Sequence, residues 1–244
     1  MTLLSVREIG KRFGKLRALD DVSFDVQSGT FHGLIGPNGS GKSTLLKAIA
    51  GAHFADEGRI LFAGRDVTWM APHERSQAGM SLKFQITAII RELSVYDNML
   101  VAVQAAEPVL RLLRSATRAA LQRHILNALD RFRLRGRSSE LAGELSHGEQ
   151  QWLEIAMALA RGPKLLLLDE PTAGMSPQER RFTGELLAPI KAHCAIVIVE
   201  HDLDFIRSVC DRLTVLDQGR VVATGCVEEI GRNAKVQQIY TRRV

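Results

Sequence analysis

The chain is short of several features, and each absence narrows the field. It holds three cysteines, Cys194, Cys210 and Cys226, an odd number with no close pair. That spacing argues against a disulfide framework and against a zinc site, so the thiols read as reduced and inert. No apolar run approaches the roughly 20 residues that a spanning helix needs; the longest are short, such as 165–168 and 195–199. Residues 1–10 lack a basic start followed by a long apolar stretch. No secretory signal is therefore expected, and the chain reads as soluble by itself and cytosolic. There is no internal repeat and no low-complexity linker. Neither sign of charge dominates: 32 Lys and Arg stand against 27 Asp and Glu, a net charge of +5, which excludes a highly charged disordered chain.

What is present is a normal globular mix of 244 residues, 45% apolar and 24% charged, enough to bury one sizeable core. The basic balance points to an anionic partner: a nucleotide, a nucleic acid or lipid headgroups. Val22, Phe24 and Val26 alternate with polar residues, as a half-buried strand does. Residues 60–62 fit a short strand before the Ala63-Gly64 turn. Residues 31–35 lead into a glycine-rich stretch and then a helix over 43–50. Residues 95–160 read as helical. Residues 165–168 and 195–199 are wholly apolar, the mark of parallel strands covered on both faces, with a helix over 177–192 between them. Residues 213–216 and 220–223 flank Asp217-Gln218-Gly219 as a hairpin. Alternating strands and helices predict an α/β fold with a parallel sheet and an inserted helical subdomain.

The chemistry starts at Gly36-Pro37-Asn38-Gly39-Ser40-Gly41-Lys42-Ser43, which fits G-x-x-x-x-G-K-[ST]. The glycines let backbone N–H groups curl around phosphates, the following helix aims its positive end at them, Lys42 reaches the β/γ-phosphates and the Ser43 hydroxyl can bind Mg²⁺. Asp169 and Glu170 end the apolar run 165–168, where ligands of open α/β sheets sit. Asp169 suits the Mg²⁺ shell, and Glu170 can orient or deprotonate an attacking water; taken alone, the two acids would simply end a strand at solvent. The run 195–199 ends at Glu200-His201-Asp202, so His201 emerges on the same edge and can hydrogen-bond the γ-phosphate.

Ser146-His147-Gly148-Glu149-Gln150 precedes another helix, on which Trp152, Ile155, Ala156, Leu159 and Ala160 share an apolar face. Ser146 and Glu149 match a capping box. Gly148 in the first turn is costly for a helix unless something approaches the backbone closely, as an anion would.

In this order, residues 36–43, 145–150, 165–170 and His201 resemble the ATP-binding cassette ATPases of ABC transporters, over essentially the whole chain. The resemblance implies a P-loop NTPase core of the ABC type, with an N-terminal antiparallel β subdomain and a helical subdomain over about 86–160 within a single domain, 1–244. It implies ATP and Mg²⁺ as cofactors, with Thr44 beside the phosphates. It assigns Phe13, 29 residues before Lys42, to adenine stacking, against the alternative of a sheet-core Phe. It assigns Gln85 to Mg²⁺ and water, and Ser146, Gly148 and Glu149 to the signature motif, which contacts ATP held by a second subunit. The partners implied are that second ATPase subunit, identical or different, two transmembrane permease subunits and, indirectly, an external substrate-binding protein, placing the chain at the cytoplasmic face of the membrane; no nucleic acid is expected.

The pattern has departures. His147 stands where the signature usually has a glycine, Glu149 where it has glutamine, and Ser176 where an Asp often follows the catalytic segment. Residues 145–155 and 171–175 resemble the branched-chain amino acid branch, closest to ATPases of urea or short-amide uptake. An export ATPase, such as one for lipopolysaccharide, would share every motif, whereas a soluble P-loop kinase would have no use for 146–150. The excess charge is local: residues 107–140 hold eight Arg, no Lys and three acids. Arg111, Arg114 and Arg118 share one helical face, which reads either as a solvated face or as a contact for anionic lipid or acidic permease loops.

Overall fold

The computed structural model describes residues 1–83, 89–105 and 117–241; of 117–120 and 241 only the backbone is described. Gln85, Arg111 and Arg114 lie outside the described residues, as does the Arg118 side chain.

β1 (Thr2–Phe13), β2 (Leu16–Gln27), β4 (Glu57–Phe62) and the short β5 (Arg65–Asp66) form an antiparallel sheet in the order β2-β1-β4-β5. Leu4 pairs with Val26 and Val6 with Phe24, so the buried alternate positions of neighbouring strands coincide. The sequence alone places no strand before Val22. β1 escapes it because register shifts between Val6 and Ile9, and again between Ile9 and Lys11, break its alternation.

The second sheet has the order β10-β9-β3-β8-β7-β6, from β3 (Phe31–Ile35), β6 (Met80–Lys83), β7 (Leu165–Asp169), β8 (Ala195–Val199), β9 (Arg212–Asp217) and β10 (Arg220–Cys226). Neighbours from β9 to β6 are parallel. β10 returns antiparallel to β9, so the sheet is mixed rather than wholly parallel. The cause is the hairpin turn at Gln218 and Gly219, both at positive φ (48° and 77°), a geometry that folds the chain straight back.

The apolar run in β7 is divided between two cores. Leu166 and Leu168 join Phe31, Ile196, Ile198 and the helices on one face, while Leu165 and Leu167 join Val197, Val199 and the antiparallel sheet on the other. A period of two side chains requires this division. Each such leucine contributes about 1.5–3 kcal/mol by leaving water, which holds the carboxyl end of β7, and with it the site, in place.

Among the described residues the helices are α1 (Lys42–Ala50), α2 (Pro72–Ala78), α3 (Val95–Gln104), α4 (Thr117–Arg131), α5 (His147–Leu159), α6 (Pro177–Leu187), α7 (Leu203–Val209), α8 (Val227–Arg232) and α9 (Ala234–Thr241). The helix expected over 177–192 tightens into a 3₁₀ segment at Ala188–Ala192, where Pro189 has no N–H to continue the α ladder. α3, α4 and α5 pack on one another, and α5 also contacts β6. In α5, Ile155 and Ala156 are buried as expected, but Trp152, Leu159 and Ala160 are only half-buried. Gln151, Leu153 and Glu154 are buried instead. Burial of Glu154 is made tolerable by Lys83, whose Nζ lies 3.2 Å from its carboxylate.

Arg75 anchors α1 from below. The residue is 1% exposed, and its guanidinium donates to the carbonyls of Ala48, Ile49, Thr68 and Met70. Burial pushes its pKa down to about 10, still charged at neutral pH. It thus ties the last carbonyls of α1 to the loop before α2.

Candidate functional site

The loop from Gly36 to Gly41 leaves the carboxyl end of β3 and enters α1. Gly36 has φ +146°, and a Cβ there would sit 2.1 Å from the Leu216 carbonyl oxygen. Gly41, at φ +102°, is the N-cap of α1, and its Cβ would meet the Ala18 carbonyl at 2.7 Å. Both positions require glycine. α1 has no side-chain cap at its N-terminus, whereas α3, α5 and α6 are capped by Ser94, Ser146 and Ser176. The first-turn amides of α1 are therefore left for an outside acceptor. Lys42 is buried, and its Nζ donates to the Gly36 and Pro37 carbonyls at 2.8 and 2.9 Å. Burial lowers its pKa, opposed by the charges of Glu170 and Asp169. The buried Ser40 Oγ has no hydrogen-bond partner among the described residues.

At the end of β7, Asp169 accepts a hydrogen bond from the Ser43 hydroxyl at 3.2 Å. Burial raises the pKa of this carboxyl, opposed by the Ser43 hydrogen bond and by the charges of Lys47 and Lys42. A hydroxyl and a carboxylate side by side are hard oxygen donors of the kind Mg²⁺ takes, and Mg²⁺ completes its shell from water and phosphate. Among the described residues no group of three or more His, Cys, Asp or Glu could hold a metal ion. Glu170 sits at φ +47°, a conformation rare outside glycine, and its N–H donates to the Val199 carbonyl at 2.9 Å. His201 is 64% exposed at its side chain, with Nδ1 4.0 Å from the Glu170 carboxylate and 3.7 Å from that of Glu200. The two residues expected to work together thus face each other without a direct hydrogen bond.

Phe13, Asn38, Gly39, Gly41, Lys42, Ser43, Thr44 and Glu170 line one groove of about 790 Å³. Phe13 is 44% exposed, which rejects the sheet-core alternative, and its ring meets that of His53 edge-on at 5.4 Å. Lys11 Nζ lies over the same ring, 5.5 Å from its centre; a half-exposed aromatic at the mouth of a phosphate loop suits a stacked base. Leu16, Arg17, Ala18, Gln218 and Gly219 complete the groove wall, and no sequence signal marked them as part of a site.

Ser146, Gly148 and Glu149 lie away from this groove, at the start of α5. The capping box forms: Ser146 Oγ accepts from the Glu149 N–H at 3.3 Å and the Glu149 carboxylate accepts from the Ser146 N–H at 2.8 Å. Arg137 also pairs with Glu149 and Glu140, and Arg133 stacks 4.0 Å over the Phe182 ring. These two arginines of the basic segment are therefore engaged inside the chain. Gly148 is buried, and a Cβ there would meet Glu179 Oε1 at 2.4 Å. The close anion that explains this glycine is thus a carboxylate of the chain itself.

Sequence reasoning missed Glu200. It is 1% exposed and accepts both the Thr172 N–H and the Thr172 hydroxyl, at 2.9 and 2.6 Å. It ties the loop leaving Glu170 to the end of β8. Its only sequence mark is an acid directly after an apolar strand.

Comparison with known proteins agrees with this geometry. A family profile described as ABC transporter matches residues 19–173. The chain is 33% identical to a probable branched-chain amino acid transport ATP-binding protein of Archaeoglobus fulgidus, covering 98% of this chain and 95% of that one. It is 34% identical to a ribose import ATP-binding protein of Hahella chejuensis, but spans only 48% of that protein's length. A crystal structure of an ATP-binding cassette of an ABC transporter, in its ADP conformation, superposes with a TM-score of 0.88 at 32% identity, covering 99% of each chain. Among the described residues no helix is long and apolar enough to cross a membrane. With the phosphate loop, the strand-end acids and these likenesses in one arrangement, the chain belongs to the ABC transporter ATPase family.

Proposed function

We propose that the chain binds ATP with Mg²⁺ in the groove between Phe13 and Glu170 and hydrolyses it as the motor subunit of an importer. The observation that carries this reading is the Ser43–Asp169 hydrogen bond beside Glu170, at the mouth of an uncapped helix.

Phe13 stacks the base. The amides of 39–44 and the ammonium of Lys42 hold the phosphates, Lys42 exchanging its present carbonyl partners for phosphate oxygens. Ser43 and Asp169 would hold the metal, directly or through water, with Gln85 as a further ligand, and the ion would supply positive charge against the phosphates. Glu170 orients the attacking water and accepts its proton. His201, on its exposed strand end, hydrogen-bonds the γ-phosphate and keeps Glu170 and the water aligned.

Ser146 and the start of α5 lie outside the groove; Ser146 Oγ caps the Glu149 N–H, but its hydroxyl can still donate, which suits the γ-phosphate of ATP bound by a second ATPase subunit. Two subunits then enclose two nucleotides; closure on ATP and reopening after hydrolysis supply the differential affinity that drives any two-state switch. The dimer works at the cytoplasmic face of a membrane beneath two permease subunits, fed by an external binding protein. The motifs at 145–155 and 171–175 and the likeness to a branched-chain amino acid transport protein favour branched-chain amino acids, urea or short amides as cargo.

The Glu170→Gln chain tests the catalytic core. ATP hydrolysis should fall about 100-fold to 10,000-fold, the span of a general base, while ATP binding survives and the chain associates into dimers on ATP. Hydrolysis at the native rate would refute the assignment. Co-purification of the membrane subunits identifies the cargo.

A further inference from the structure

The residue that departs from the signature pattern, His147, makes a contact that the nucleotide reading does not use. Its Nε2 lies 3.0 Å from the carbonyl oxygen of Ala173. A carbonyl only accepts, so Nε2 carries the proton and donates. Ala173 stands three residues beyond Glu170, and its own N–H donates back to the Glu170 carbonyl at 3.2 Å. Gly174, at φ +73°, makes room for the imidazole: a Cβ there would sit 3.1 Å from His147 Cδ2. A second contact runs beside the first, where Gly148 lets Glu179 approach. The Glu179 carboxylate accepts from the Ser176 N–H and hydroxyl, both at 2.8 Å. The N-termini of α5 and α6 are thus closed against each other, His147 reaching from one to the loop before the other.

We propose that His147 is a positioning residue: by donating to the Ala173 carbonyl it makes the start of α5 and the loop leaving Glu170 move as one body. A glycine at position 147 has no side chain to make this bridge. The proposal rests on the two-subunit reading above in one respect. The start of α5 serves the nucleotide of the other subunit and Glu170 serves its own, so the bridge links the two sites through a single chain. A net hydrogen bond is small, but lost alignment of the Glu170 loop is felt directly in the chemistry.

Three variants separate the bridge from bulk and from fold. His147→Gly removes the side chain, His147→Phe keeps a ring without a donor, and His147→Gln places an amide donor at similar reach. Placed on Glu170→Gln chains, Gly and Phe should raise the ATP concentration needed for dimerisation about five-fold to ten-fold, the size of one net hydrogen bond; Gln should restore it. ADP binding to the monomer should be unchanged in all three, and thermal stability should fall by no more than the one bond lost, about 1 kcal/mol; a merely structural role would lower stability without moving dimerisation. Dimerisation by the Phe and Gly chains at the parent ATP concentration overturns the bridge. If the Glu170→Gln parent itself does not associate on ATP, the two-subunit reading fails, and the bridge is then read in chains keeping Glu170. There kcat should fall by a similar factor for Gly and Phe, with KM unchanged and Gln restoring it; an unchanged kcat overturns the bridge.

Discussion

Glu200, buried at the end of β8, receives the backbone N–H and the hydroxyl of Thr172 on one carboxylate oxygen, at 2.9 and 2.6 Å. Thr172 lies two residues beyond Glu170, so this pair sets where the chain goes once it has delivered the Glu170 carboxylate. The left-handed backbone at Glu170 needs such support, since a non-glycine residue holds that conformation only where its surroundings enforce it.

Replacing Glu200 with Leu strips the acceptor and leaves two buried donors unmatched. The expected loss is about 2–4 kcal/mol in urea unfolding, with kcat falling by more than stability alone explains, because the Glu170 loop shifts. Glu200→Gln keeps a carbonyl oxygen for both donors and should stay within about 1 kcal/mol of the parent. Equal losses for Leu and Gln would show that the charge matters rather than the acceptor.

Lys83 and Glu154 form an ion pair with side chains only 2% and 3% exposed, joining β6 to α5. Lys83→Met alone leaves a buried carboxylate without its cation, which costs about 3–5 kcal/mol. Combined with Glu154→Leu, most of that loss should return, because an apolar pair of similar volume needs no desolvation. A double-mutant cycle by chemical denaturation measures the coupling; additive losses would deny that the two charges act as a pair.

His32 is fully buried, with Nε2 2.8 Å from the Thr214 hydroxyl. Burial, reinforced by Arg212, pushes its pKa from the usual 6.5 down to about 4. Between those values the unfolded chain takes up a proton that the folded chain refuses, so stability falls as pH drops from about 6.5 towards 4. The part due to His32 is on the order of 3 kcal/mol. His32→Gln, which cannot titrate, should flatten the stability profile over that window; a profile as steep as the parent's would place the titration elsewhere.

How much was legible in advance depended on how local the coding was. The phosphate loop could be read because its glycines answer to backbone geometry within eight residues. The acids at 169 and 170 could be read because a doubly covered strand leaves an unbroken apolar run that ends where they begin. β1 was hidden by its bulges, and the α5 face was misread because its buried acid is matched by Lys83 on a distant strand. Gly148 carried a true signal, a close anion, but nothing nearby in the chain named Glu179 as its source. The basic excess at 107–140 was visible as a count, yet which arginines are engaged was not: Arg137 and Arg133 are held by Glu140, Glu149 and Phe182.

The order of motifs and the strand ends that carry the acids were legible in the chain alone, because spacing along a few residues of backbone sets them, and the family entered through the resemblance of those motifs. That Phe13 is half-exposed, that Glu200 anchors Thr172 and that His147 reaches Ala173 could be seen only in the folded chain. Each of these depends on which strand lies beside which and how closely two helix ends approach, and packing of the whole sheet sets those distances.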